Sequence, residues 1–245
     1  MNVGRCIGLG LVLIVVPLCQ GRVKSHNKSP IKEPSIHSDT VSQELRDVVK
    51  RMFSDAGSIF YNLPSLSTFK TACYGVPLYL LSRPIDHKIQ HHFYDYVLCK
   101  NRNQPSKTLA KIGMNAGVAL SLPVVLMDVI SNESRRIRRG EIFGTGMLTV
   151  WGTKNLIKLI RTEANKRPCH EKFSTSLHHR AYGGNPSGHM AFLGYAAAFW
   201  SAEKGMIVGV PMAGFMALCT GLLVTSNRHY LSQAIAGAFY GIAFG

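Results

Sequence analysis

From Met190 to the C-terminus the chain is three apolar runs with scarcely a break: Met190–Ala202, Met206–Thr225 and Leu231–Phe244. Gly and Ala recur through all three, and none alternates apolar with polar residues as a half-buried strand would. Runs of this kind are buried as helices lying close together, their small residues letting backbones approach. Upstream are three more apolar segments. Leu66–Ser82 is interrupted by Lys70 and Pro77, and Ile112–Ser131 carries a single Asp near its end. Ile142–Ile160 has Lys154 and Lys158 near its end, where long side chains can snorkel. The run Ile112–Ser131, about twenty residues, has the length that crosses a hydrocarbon core. The expected fold is all-α, a bundle of about six helices embedded in a membrane.

Charge narrows the partners. With 28 Lys and Arg against 13 Asp and Glu, the net charge is +15, which calls for an anionic partner. A soluble nucleic-acid binder this basic would carry a richer charged surface than 17%, so no nucleic-acid partner is expected. The basic stretch RRIRR, Arg135–Arg139, has no interleaved aromatics and reads as a topology or lipid-headgroup signal.

The N-terminal end divides in two. Residues 1–21 hold one Arg and then a short apolar run, the pattern of a signal peptide or, alternatively, a short uncleaved anchor. Residues 22–56 form a polar linker containing Pro30 and Pro34, and its second half, VSQELRDVVKRMF, has the spacing of an amphipathic helix. The bundle domain is expected over 57–245. The six cysteines form no CxxC and no zinc spacing; Cys73 and Cys219 are expected to be buried. His91–His92 and His178–His179 lack partners at metal spacing and read as surface loops, so neither metal nor cofactor is expected.

Chemistry concentrates where polar segments meet apolar ones. In NPSGHM, Asn185 is placed to cap a helix and Pro186 to enter its first turn. Backbone N–H groups of Ser187 and Gly188 would then make an anion site, with His189 beside it. SNRHYLSQ opens the last apolar run. His229 and Gln233, four apart, share a helix face, so the Gln233 amide oxygen can accept a proton from one imidazole nitrogen and leave the other to attack. Between Lys158 and Arg167 the segment KLIRTEANKR gathers cations, and the bundle topology brings all three segments to one end.

Arg167-Pro168, then Pro186-Ser187-Gly188-His189, then His229 with a polar residue four on, resemble the type 2 phosphatidic acid phosphatase superfamily. The resemblance covers roughly residues 142–245 and implies a helical bundle and phosphate-ester chemistry. His229 would be the nucleophile that becomes a phosphohistidine and His189 the general acid. Arg167, Ser187 and Gly188 would hold the phosphoryl oxygens. The chain departs from the pattern three times. The lysine expected seven before Arg167 is Ile160, Ser-Arg ahead of the nucleophile is Leu222-Leu223, and the orienting carboxylate is Gln233. Arg228, with either Lys158 or Arg161, is expected to supply the missing charge, and an arginine at 223 to be tolerated.

The implied activity is a metal-independent membrane phosphatase acting on a phosphomonoester or pyrophosphate of a lipid or lipid-like substrate. The alternatives are an exported soluble acid phosphatase of the same superfamily and a non-catalytic membrane protein that binds anionic lipid. A bacterial inner membrane is the expected location. RRIRR in a short loop would stay cytoplasmic and put the site outside; a leader that exports Arg22 onward would put it inside if three spans follow. The two agree on an outward-facing, periplasmic site if Leu66–Ser82 is re-entrant or interfacial. Cys99 and Cys169 would then share an oxidising compartment and could pair.

Overall fold

The computed structural model describes residues 40–95, 100–101, 115, 134–168 and 182–245. The leader, the linker to residue 39, all of the run Ile112–Ser131 except Asn115, Cys99, Cys169 and His178–His179 lie outside the described residues. Six helices are described: α1 (Thr40–Asn62), α2 (Leu66–Phe93), α3 (Ser134–Lys158), α4 (Gly188–Lys204), α5 (Met206–Thr225) and α6 (Leu231–Phe244). Among the described residues the fold is all-α but for a two-residue antiparallel ladder, β1 (Tyr94–Asp95) with β2 (Lys100–Asn101).

The centre of the bundle is the seam between α4 and α6. Side chains are missing where the two backbones come closest. Gly194 faces the Ala238 carbonyl, Gly241 the Ala191 carbonyl and Gly237 the Ser187 carbonyl, and a Cβ at any of them would collide with backbone. Around this seam Met190, Leu193, Ala197, Met216, Leu223, Ala234 and Ala238 are almost wholly buried. A second cluster stacks Phe143 of α3 against Tyr195, Phe199 and Trp200 of α4, with ring centroids 5.1–5.4 Å from Phe143.

Three expectations about the first helices are corrected. The break foreseen at Pro77 does not occur. Ser65 caps α2 by accepting the Thr68 N–H, and the helix then runs unbroken through Pro77 and Pro84. The segment is therefore not re-entrant, because its packing along α6, from Gly75 against Phe239 to Asp86 against Ser232, outweighs the hydrogen bonds the prolines remove. His91 and His92 are on the surface as expected, but in the last turn of this helix rather than in a loop. Cys73 is exposed.

The reason for that exposure is how α2 is turned. It buries Thr71, Gly75, Ser82, Asp86 and Gln90, one stripe of small and polar residues. Facing outward are Leu66, Phe69, Tyr74, Val76, Leu80, Leu81 and Ile85. Cys73 belongs to this outer face.

RRIRR is not a connection but the first turns of α3. Arg138 pairs with Asp55 at 2.5 Å and Glu141 at 3.0 Å, and Arg51 reaches the same Glu141 at 3.0 Å. Arg139 lies 3.7 Å from Glu203 and over the Trp200 ring. Two of the arginines thus tie α1, α3 and α4 together, beyond the headgroup role expected of the stretch. The amphipathic helix foreseen in the linker is α1, which continues to Asn62 and so runs through the expected boundary at 56.

Candidate functional site

The end of the bundle where α3 stops and α4 and α6 start collects the polar motifs. Past Lys158 the chain turns outward through Leu159 and Ile160, makes one 3-10 turn over Glu163–Asn165, and returns as Lys166–Arg167. Asn165 fixes this loop. Its side-chain amide donates to the Ile160 carbonyl at 2.5 Å. Its own carbonyl accepts the N–H groups of Gly183 and Gly184 at 3.0 and 2.8 Å. Arg167 is thereby held against the segment that leads into NPSGH, and its guanidinium donates to the Gly183 carbonyl at 3.3 Å.

Helix α4 begins two residues later than expected. The cap is Ser187, and Gly188 is the first helical residue. Asn185 does not cap; its amide reaches the Tyr79 hydroxyl of α2 at 3.4 Å. The reason is the Gln233 carbonyl, which accepts the Ser187 N–H at 3.1 Å and holds that residue extended ahead of the first turn. The Ser187 N–H is therefore spent, and the helix N-terminus offers the N–H groups of Gly188, His189 and Met190 instead. Ser187 contributes its hydroxyl: the residue is fully buried and Oγ has no hydrogen-bond partner among the described residues.

Cations surround this terminus. Arg228, Arg167, Lys158 and Lys154 all act on His189, and a side chain at Gly188 would begin 3.2 Å from the Lys154 ammonium. Lys154 does not snorkel as expected. It is 8% exposed, lies over the Phe192 ring and has no ion-pair partner among the described residues. It is the site residue the sequence reading passed over; the signal was its place four before Lys158, on the same helical face. Arg161, by contrast, is exposed beyond the end of α3, because the helix stops at Lys158 and the loop carries residue 161 away.

His229 is buried, with Nδ1 3.3 Å from the Gln233 amide oxygen. Its loop is tethered to α5 by the Leu223 carbonyl, which accepts the N–H groups of Arg228 and His229. Leu223 itself has no exposure and sits in the central apolar cluster. An arginine there would place a charge in the core, so the expected tolerance of that change is withdrawn.

Electrostatics follow from this crowd of cations. His189, at the mouth of α4 ahead of its apolar stretch, is pushed down to about 4 by burial and then by Arg228, Arg167, Lys158 and Lys154. Burial also holds His229 well below the ordinary histidine range, with Arg167, Lys158 and His189 acting in the same direction and the Gln233 hydrogen bond opposing them.

A bound oxyanion would cancel the charge that suppresses protonation, so its binding should draw in protons. Between pH 4 and 6.5 His189 is neutral in the empty folded site but protonated in the unfolded chain. The unfolded state then binds more protons, and stability without ligand should fall as pH drops through that window. Calorimetry of sulfate binding at pH 5.5, where that anion does not itself titrate, in buffers of differing ionisation heat, should record net proton uptake. Binding without uptake would contradict this arrangement of charges.

No protein-family model, curated protein or solved structure matches the chain.

Proposed function

We propose that this chain is a membrane phosphatase that hydrolyses a phosphomonoester or pyrophosphate on a lipid or lipid-like substrate, through a phosphohistidine at His229. One observation carries the reading. Lys154, Lys158, Arg167 and Arg228 converge with two histidines on a helix N-terminus whose Ser187 hydroxyl is buried with no partner among the described residues. Cations gathered this way, one of them a buried lysine with no carboxylate partner among the described residues, are complementary to a phosphoryl group.

Each group has a role in the proposed reaction. Nε2 of His229 attacks phosphorus, and the bond to the leaving oxygen breaks as that oxygen takes a proton from His189. The four cations, the Ser187 hydroxyl and the N–H groups at the start of α4 hold the equatorial oxygens as charge shifts onto them. Water then attacks the phosphohistidine, His189 accepts its proton, and inorganic phosphate leaves. The substrate's own negative charge raises His189 into its acid form.

Support for a lipid setting comes from α2. Its exposed face carries leucine, phenylalanine and valine, with Lys70 and Arg83 near the ends of that apolar stretch, while its fully buried stripe is small and polar, a distribution that suits lipid. From Leu66 to Ile85 that outer face extends about 30 Å, the thickness of a hydrocarbon core. By length and composition α5 alone among the described helices is apolar enough to cross a bilayer. At the site's edge Leu156, Leu159 and Ile160 are exposed beside Lys158, where an apolar substrate tail could lie. Arg135 and Arg136 begin α3, about 35 Å from Lys158, and favour an outward-facing site by the positive-inside rule. With α2 unbroken the leader no longer agrees with them, so an outward-facing site requires that residues 22 onward stay on the cytoplasmic side.

The test is phosphate release by protein purified in detergent with metals chelated, across lipid phosphates, isoprenyl pyrophosphates, nucleotides and sugar phosphates. Lipid-linked substrates should be favoured and vanadate should inhibit. Vanadate binding without release from any substrate would favour a non-catalytic anion binder, for which the absence of Ser-Arg at 222–223 already speaks.

A further inference from the structure

We infer that Gln233 is a clamp between the nucleophile and the Arg167 loop, and that the loop requires an amide at this position where the resembled superfamily carries a carboxylate. The amide nitrogen of Gln233 donates to two backbone carbonyls, Ala164 at 3.2 Å and Lys166 at 2.5 Å. The amide oxygen faces the Tyr230 N–H at 3.3 Å and Nδ1 of His229 at 3.3 Å. The reverse orientation would set an oxygen against two carbonyl oxygens and an NH2 against a backbone N–H. Only one orientation of the amide satisfies all four neighbours.

That orientation fixes the histidine. A carbonyl oxygen accepts and does not donate, so Nδ1 carries the proton and Nε2 keeps its lone pair. The tautomer of His229 is therefore set from the Ala164 and Lys166 carbonyls, through Gln233, in a loop that ends on Arg167. A glutamate in this place has the same length but no donor, and its oxygens would face those carbonyls. An aspartate is also one carbon too short to reach both partners.

The surrounding residues are built for this clamp. Gln233 is 1% exposed. A Cβ on Gly184 would stand 2.5 Å from its amide oxygen and 2.6 Å from its amide nitrogen. The glycine is required by that space and not by its backbone angles, since among the glycines between residues 182 and 189 only Gly183 has positive φ. Gly184 also donates its N–H to the Asn165 carbonyl, one residue from each of the clamped carbonyls. Gly184 and Gln233 are thus positioning residues: the first leaves room for the amide, and the second joins two motifs far apart in sequence.

The inference rests on the proposed reaction only for its kinetic consequence; the tautomer can be read without any turnover. Histidine labelled with 15N should give, for the His229 resonance assigned by its absence from His229→Gln, a protonated Nδ1 and a bare Nε2 at pH 7. A wild-type spectrum with the proton on Nε2 would overturn the clamp, whether or not the protein is a phosphatase. Gly184→Ala should disturb that signature by displacing the amide, whereas Gln233→Glu should keep Nδ1 protonated because a carboxylate also only accepts. Both should weaken vanadate binding, because Arg167 moves with the loop. If substrates are found, kcat should fall on the order of 100-fold or more, short of the ~10⁴-fold lost by a serine protease with its histidine in the wrong tautomer. Both variants keeping the wild-type vanadate affinity would also overturn it.

Discussion

Replacing His229 with alanine is expected to abolish turnover and leave no phosphoenzyme to trap. The residue is buried, its Nδ1 is engaged by Gln233, and its ring is held beside a cluster of cations. In the proposed mechanism, alanine at 229 removes the atom that bonds to phosphorus, and His189 is committed there to the leaving oxygen. Loss of a covalent nucleophile costs on the order of 10⁵-fold or more. Acid-quench trapping of radiolabelled phosphate should give a labelled band in wild type and none in His229→Ala. His189→Ala should retain some label from substrates with good leaving groups, because the proton from His189 matters most when the departing oxygen is basic. Turnover of an alkyl phosphate by His229→Ala at the wild-type rate would refute the mechanism.

The second large effect concerns which cations replace those the resemblance leads one to expect. Lys154→Met and Lys158→Met should each remove about 2–4 kcal/mol of transition-state stabilisation, the usual scale for one donor to a developing oxyanion. Methionine preserves the packing of the stem, so the loss should appear in kcat/KM and vanadate affinity without a comparable loss of stability. Arg161→Ala should leave both unchanged, since its side chain is exposed beyond the end of α3. If the loss followed Arg161 and not Lys154, the assignment of charges in the site would be wrong.

The helices were legible because apolar run length and Gly/Ala content govern close helix packing, and the three closing runs became α4, α5 and α6 almost to the residue. That His189, His229 and Gln233 gather at one end of the bundle could be read from local context, since each stands at the entry of an apolar run, whereas Arg167 was singled out by the resemblance. What was not legible depended on direction in space. Lys154 looks like a snorkelling lysine until α4 is placed beside it. Arg161 looks like a site cation until the chain turns away after Lys158. Pro77 signals a break in isolation, but packing along α6 keeps α2 whole. Ser187 became the cap, instead of Asn185, because of a carbonyl nearly fifty residues away, and no local rule contains that contact.

The glycine seam between α4 and α6 has a consequence for chemistry. His189 stands on the first turn of one helix and His229 two residues before the other begins. Gly194, Gly237 and Gly241 leave no side chains there to act as shims. The span that a proton and a phosphoryl group would share in the proposed reaction is consequently gauged by backbone against backbone, the least compressible joint the chain can make. Residues on the outer faces of α2, α3 and α5 can change with the surrounding solvent and leave that gauge untouched. A single methyl group at Gly237, far smaller than most surface changes, would reset it.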